Sequence, residues 1–353
     1  MIKTQLTVIM NYLVRWIIKL LSSVFFRKYK IRNGSYQSVF VLCGAGIGDA
    51  VMATPMIEAI KKHNAKTRIM VISNNTNADI FKFNPSISKQ IIYSDSQYSR
   101  LKSCCLILCT KCDVFIGTQP SNTIIHSVFA FISLAKIKAK INKMNIDFVY
   151  EDYDFLYDVL IPNNKKCHRV ELNMDIARSI GLISGASHRI KCKIYFSKGQ
   201  KQMNSFFFNA DCVTVHLGGG RKQKIWPIEN YFKIISYLLD KKKTVIIVGG
   251  NEERGLISKI GIDSYVKIID LVGKLKLNEL HAVLQRSSLL ITNDTGVMHI
   301  GAATNVKIIA LFGNTEPLHI GPYTDTATII SGGRVNDISV EEVINSINQL
   351  LNE

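Results

Sequence analysis

The feature that most limits what this chain can become is a repeated unit: a short apolar run, a turn rich in Gly, Asn or Asp, then a segment with helical spacing. Val39–Cys43, Arg68–Ile72, Val213–His216, Thr244–Val248, Ser288–Ile291 and Lys307–Phe312 are such runs. They read as strands buried on both faces of a parallel sheet. Parallel neighbours need a crossover, and Ala50–His63, His168–Ile180, Asn230–Leu239 and Leu277–Gln285 have the helical period to provide it. Ile91–Tyr93, Leu106–Leu108, Val114–Ile116 and Val128–Leu134 are further apolar runs that continue the alternation in the first series, and Ile268–Leu271 reads as a strand of the second. Lys136–Lys143 is a basic strand or loop, Gly181 a helix C-cap and Ser339–Leu351 a closing amphipathic helix. The series ends near Ile194–Lys198 and restarts. Two doubly wound α/β domains facing a central cleft are expected, over 38–196 and 197–353, preceded by a separate segment 1–37.

Charge separates the two halves. Residues 1–150 hold 20 Lys/Arg against 6 Asp/Glu, a balance of +14, and the remainder holds 24 against 21, or +3. The basic surface therefore belongs to the first half and suits an anionic membrane or a phosphorylated glycolipid. No nucleic-acid module is recognisable, and aromatics are not interleaved with the bases, so nucleic acid is not an expected partner. Residues 5–30 are apolar and aromatic but interrupted by Arg15 and Lys19 and closed by Arg27, Lys28 and Lys30. No uncharged run reaches the ~18 residues of a spanning helix, and no small-residue cleavage site follows. A basic amphipathic helix is expected, lying on the inner membrane surface or packed on the protein, with the protein cytoplasmic.

Eight cysteines without a secretory signal fit a reducing compartment. Cys104, Cys109 and Cys112 have an iron–sulfur-like spacing, but Cys105–Cys109 reads as a buried strand in which Cys is a small hydrophobe. Asp152-Tyr153-Asp154 reads as a solvated acidic cluster. No metal and no cofactor is expected at either place.

Ile291-Thr292-Asn293-Asp294-Thr295-Gly296-Val297-Met298-His299 is the densest stretch for chemistry. A buried strand runs into a helix expected over Thr295–Ala303, with Asp294 and Thr295 placed to cap it. Gly296 admits a ligand to the backbone, and His299 returns to the face of Thr295 one turn on. Free N–H groups, a helix dipole, a carboxylate and an imidazole suit a diphosphate carrying a polyhydroxylated sugar. Gly218-Gly219-Gly220 follows another strand, and Lys224, just ahead of Trp226-Pro227, can supply a charge to phosphate. It is not a P-loop, because Lys224 is followed by Ile225 rather than Ser or Thr. After Val248-Gly249-Gly250, Glu252 and Glu253 are placed to take ribose hydroxyls, Glu253 the preferred one. Gly44-Ala45-Gly46-Ile47-Gly48-Asp49 resembles a dinucleotide fingerprint, yet Asp49 replaces the third Gly and Ser73-Asn74 replaces the expected acid of the next strand. A carboxylate at a helix start would be held ionised by the dipole and would repel phosphate. Asp49 reads better as a base facing a substrate hydroxyl than as part of an NAD site.

These blocks in this order resemble glycosyltransferase family 9, the bacterial lipopolysaccharide heptosyltransferases. The resemblance rests on Gly48-Asp49 with Thr54-Pro55, Lys224-Ile225-Trp226-Pro227, Gly249-Gly250 with Glu253, and Asn293-Asp294-Thr295-Gly296 with His299. Leu311-Phe312-Gly313 and Gly321-Pro322-Tyr323 complete it, over roughly residues 38–350. It implies two Rossmann-like domains of GT-B type, the acceptor on the first and the nucleotide sugar on the second. It implies metal-independent, inverting transfer of heptose from ADP-heptose to the lipid A–core oligosaccharide. Asp49 would be the base, Lys224 would bind donor phosphate with Gly218 and Gly219, and Glu253 would hold the ribose. Asp294, Thr295, Gly296 and His299 would form the sugar and diphosphate loop. The family's Pro and Ser or Thr around 218–220 are absent here, which opens the donor's identity. A related transferase using another nucleotide sugar, and a non-catalytic nucleotide-sugar or glycolipid-binding protein, are the alternatives.

Overall fold

The computed structural model describes residues 13–22, 36–119, 123–142, 153–164, 166–185, 190–196, 211–257 and 267–351. The chain divides into two compact units, Met1–Ile190 and Lys191–Glu353. The expected helix of residues 5–30 is described only over 13–22; the rest of it lies outside the described residues.

The first unit runs α1 (13–22), β1 (Ser38–Cys43), α2 (Ile47–His63), β2 (Arg68–Asn74), α3 (Ala78–Phe81), β3 (Ile87–Tyr93), α4 (Gln97–Leu108), β4 (Val114–Gly117), α5 (Ile124–Ile132), β5 (Ile137–Ile141), β6 (Val159–Ile161) and α6 (Arg169–Ser179). Its six strands lie in the order β3-β2-β1-β4-β5-β6, every pairing parallel. This is a doubly wound sheet whose order reverses between β1 and β4, so the loops after those two strands flank the crevice where such sheets bind ligands.

One expected strand, Cys105–Cys109, and one further apolar run belong to helices. Leu106–Leu108 ends α4 and Val128–Leu134 falls largely in α5. A short apolar run fits either element, and here the caps decide. Ser96 accepts from the N–H of Ser99, and Thr123 from that of His126, so each starts a helix. Cys105 and Cys109 consequently stand exposed at the end of α4 instead of in a strand, while Cys112 is buried with its thiol donating to the Val114 carbonyl at 2.7 Å. The acidic cluster also departs from expectation. Asp152 lies outside the described residues, but Asp154 pairs with the buried ammonium of Lys140, which in turn lies 5.3 Å from the Tyr157 ring centroid. The basic run of β5 is thus a buried strand whose charge is compensated from the loop before β6. At the end of α6, Gly181 takes the left-handed φ of 75° that a helix stop favours.

α2 carries a proline in its interior. Pro55 has no N–H for the carbonyl of Val51, and the Thr54 hydroxyl donates to that carbonyl at 2.8 Å in its place. The Thr54-Pro55 pair is therefore a self-satisfied break in the helix ladder. Asn173 of α6 donates to Met52 O at 3.1 Å from the next packed helix.

The second unit runs β7 (Cys212–His216), α7 (Ile228–Asp240), β8 (Thr244–Val248), α8 (Arg254–Ile257), β9 (Ile268–Asp270), α9 (Leu277–Arg286), β10 (Leu289–Asn293), α10 (Gly296–Ala302), β11 (Lys307–Phe312), α11 (Pro317–Ile320), β12 (Ala327–Ser331) and α12 (Val340–Leu351). The order is β12-β11-β10-β7-β8-β9, again all parallel, and the reversal lies between β7 and β10. Val213, Val215, Val245, Ile247, Leu289 and Ile291 of the sheet share one buried cluster with Trp226, Tyr231 and Ile234 of the α7 side and Val343 and Ile347 of α12. Short turns at Lys222–Lys224 and Asn251–Glu253 leave the carboxyl ends of β7 and β8. Among the described residues no helix is long and apolar enough to cross a membrane.

Candidate active site

In the second unit four strand ends bring the singled-out residues together. After β7, the carbonyl of Gly218 accepts from Asn293 Nδ2 at 2.7 Å, and the oxygen of the same amide accepts from Trp226 N–H at 3.3 Å. Asn293, the last residue of β10, therefore staples both ends of the glycine loop. Gly218 has no room for a side chain: a Cβ there would lie 2.1 Å from Glu253 Oε1. Glu253 is buried, its Oε2 accepting from Gly250 N–H at 2.6 Å, while Glu252 is exposed. Burial first, and then the Glu252 charge, raise the Glu253 carboxyl above its ordinary range against the opposing Gly250 hydrogen bond.

Lys224 forms an ion pair with the buried Asp294, whose Oδ2 also accepts from Thr315 Oγ1 at 2.8 Å. Thr295 occupies the N-cap position of α10, but its side chain makes no cap hydrogen bond, contrary to the expected capping by Asp294 and Thr295. Asp294 is drawn instead to Lys224 and Thr315, and the Thr295 hydroxyl lies 3.4 Å from both Thr292 Oγ1 and His216 Nδ1. No side chain at the cap position thus competes for the N–H groups at Gly296 and beyond. His299 is buried one turn into α10.

His216 carries no motif in the sequence. It ends β7 as Asn293 ends β10, and its Nδ1 lies 3.2 Å from Thr292 Oγ1. Burial lowers its pKa to about 4, so it is a neutral imidazole under the loop cluster. The readable signal is position: both residues are the last of a strand at the reversal of sheet order.

In the first unit Asp49 is the third residue of α2 and reaches back to the start of its own helix, accepting from the backbone N–H groups of Gly46 and Asp49. Burial outweighs those bonds and the attraction of Arg169, so the carboxyl is held above its ordinary range. The dipole and these N–H groups therefore do not hold the Asp49 pKa down: desolvation raises it. Arg169, buried at the start of α6, has no sequence signal. The turn leading to Asp49 is clamped by Asn74 Nδ2, which donates to Gly44 O at 2.9 Å and Ala45 O at 3.0 Å, and by Asn77 Nδ2, which donates to Cys43 O and Ala45 O at 2.9 Å. A cavity of about 330 Å³ opens beside this turn, lined by Gly44, Asn74, Tyr93, Arg100, Thr123 and His126 among others. Tyr93 Oη and His126 Nε2 are 2.7 Å apart on its wall.

The model of glycosyltransferase family 9 (heptosyltransferase) matches residues 99–346, well over half of the sequence. The chain belongs to glycosyltransferase family 9. Among relatives of the family, lipooligosaccharide heptosyltransferase 2 of Haemophilus influenzae is 33% identical over 111 residues, 30% of this chain and 32% of that protein. The chain thus matches about a third of that relative's length. The family 9 glycosyltransferase structure from Veillonella parvula superposes with a TM-score of 0.77 at 20% identity, covering 91% of this chain and 99% of that one. The Escherichia coli heptosyltransferase WaaC, solved with ADP, gives 0.72 at 17% identity, covering 89% and 99%. These structures share the two-domain parallel-sheet fold.

Proposed function

We propose that this family 9 protein is an inverting, metal-independent transferase that moves heptose from ADP-heptose to a lipid A-linked core oligosaccharide at the cytoplasmic face of the inner membrane. The observation that carries the donor half is the convergence of Gly218, Lys224, Glu253, Asp294 and the start of α10 at one sheet reversal. The ADP with which WaaC was solved supports an adenine nucleotide. Lys224 and the N–H groups of Gly296 and its successors take the diphosphate and stabilise it as it leaves, Thr295 and His299 flanking them. Glu253 accepts from the ribose hydroxyls, and Asp294 aligns Lys224 and the sugar.

Asp49 takes the proton of the acceptor hydroxyl as that oxygen attacks the anomeric carbon opposite the leaving diphosphate. Its raised pKa suits this role, because a carboxylate with greater proton affinity is the stronger base. The basic first half attracts an anionic acceptor, and the cavity beside Gly44 offers room for a sugar.

Thermal stabilisation by ADP, UDP, GDP, CMP and NAD, each without and with EDTA, tests the donor. A shift with ADP that survives EDTA, followed by heptosyl transfer to a core acceptor, is the expected result. Preference for UDP or GDP replaces the sugar but keeps the chemistry. Normal donor binding without turnover on any acceptor would mean a binding protein, and a shift with NAD alone would overturn the reading.

A further inference from the structure

Helix α1 faces the wrong way for an ordinary surface helix. Val14 and Ile18, one turn apart, pack on the first unit's core with Ile107 and Phe129 in the same cluster, and Ile18 is only 6% exposed. Leu13, Trp16, Ile17, Leu20 and Leu21 follow the i, i+3, i+4, i+7, i+8 spacing of a core-facing stripe. Yet that stripe points outward: Trp16 is 63% exposed and Leu20 52%. The narrower inward contact anchors the helix, and among the described residues the wider apolar face is largely exposed.

The sequence on either side of this helix carries charge of one sign. Residues 1–48 contain seven Lys/Arg (Lys3, Arg15, Lys19, Arg27, Lys28, Lys30 and Arg32) and no Asp or Glu. Arg15 and Lys19 lie on α1 itself. An apolar stripe bearing a tryptophan, set in a purely cationic stretch, matches the boundary of an anionic bilayer. We propose that the outward face of α1 docks the protein onto an anionic lipid surface, with Trp16 at the headgroup level and Arg15 and Lys19 against lipid phosphates. This deepens the membrane location in the proposed reaction, but it is read without turnover, so its failure would leave the transferase reading standing.

The chain carries its own reporter pair, because its two tryptophans are the exposed Trp16 and the fully buried Trp226. The full-length protein is mixed with phosphatidylglycerol-containing vesicles and with pure phosphatidylcholine vesicles, and fluorescence and sedimentation are recorded. The expected result is a blue shift of emission on anionic vesicles that is absent in Trp16→Phe. Bound fraction should fall about tenfold or more on neutral vesicles or in 1 M salt, where the Debye length is about 3 Å. Ile17→Ser/Leu20→Ser, which leaves Val14 and Ile18 in place, should lose sedimentation while keeping the wild-type Tm and wild-type turnover on a detergent-soluble acceptor. Wild type that stays in the supernatant, or binds neutral vesicles equally, overturns the proposal. So does Trp16 emission already blue without lipid, or a dimer that dissociates in the double variant; either would mean that protein covers this face.

Discussion

Asp49 and Asp294 each follow a strand that flanks a reversal of sheet order, Asp49 as the third residue of the helix after the first strand of its unit and Asp294 directly after the fourth strand of its own, ahead of α10. Their surroundings differ. Asp294 is neutralised by Lys224 and accepts from Thr315, so its charge is spent inside the loop cluster. Asp49 has Arg169 only as an electrostatic neighbour, and burial dominates, leaving a carboxyl with raised proton affinity. One aspartate is an architectural partner for a cation, the other is available to a proton. A strand end at a reversal of sheet order serves either purpose, and what decides is the residue delivered by another element.

The sharpest break in this comparison is Asp49→Asn. Turnover should fall by about 10²–10⁴-fold, because only the base is lost. The fold should hold or gain: a carboxyl whose folded pKa is raised costs stability once ionised, so the variant's Tm at pH 7 should equal or exceed that of wild type. The difference should vanish as pH falls below the ordinary carboxylate range, where both forms are neutral. A stable variant with nearly full turnover would remove Asp49 from the mechanism.

Lys224→Ala should act in the opposite sense on stability. It strips the cation from a buried carboxylate, costing about 2–3 kcal/mol by chemical denaturation, and should weaken donor binding by about 10–100-fold. Gly218→Ala places a methyl group in the space of Glu253 Oε1, and calorimetry should show donor affinity reduced about tenfold with little change in kcat. The mildest effect is on pH. The acidic limb of the kcat profile should lie above the ordinary carboxylate range and disappear in Asp49→Asn, since activity is lost as pH falls through the raised pKa. A limb within the ordinary range would contradict the desolvation described for Asp49.

Much of this is readable from the residues. Uninterrupted apolar runs mark most of the strands at the reversals, and the expected Thr295–Ala303 segment lies within a residue of α10 at each end. The departures are local ambiguities. Leu106–Leu108 and Val128–Leu134 carry no strand-specific signal, while Ser96 and Thr123, the caps that mark them as helices, are in plain view. The neighbours of the site are harder. Arg169 lies on another helix, five strands further along the chain than Asp49, and nothing in a single sequence couples the two. Asn293 stands in the densest motif without an evident role, because its role is to hold the backbone of a loop 75 residues earlier.

One contact bears on how the protein is made. The fully buried Trp226 donates its indole N–H to the carbonyl of Ile338 at 3.0 Å, 112 residues on, and its backbone N–H meets Asn293. Trp226 closes the loop that begins with Gly218 and carries Lys224. A growing chain emerges from its N-terminus, so the Asn293 latch is available first and the Ile338 latch only once residue 338 has left the ribosome. The first domain can complete its sheet long before that. The proposed donor pocket is completed late, and a chain stalled or clipped ahead of residue 338 would carry a finished first domain and a glycine loop held by Asn293 alone.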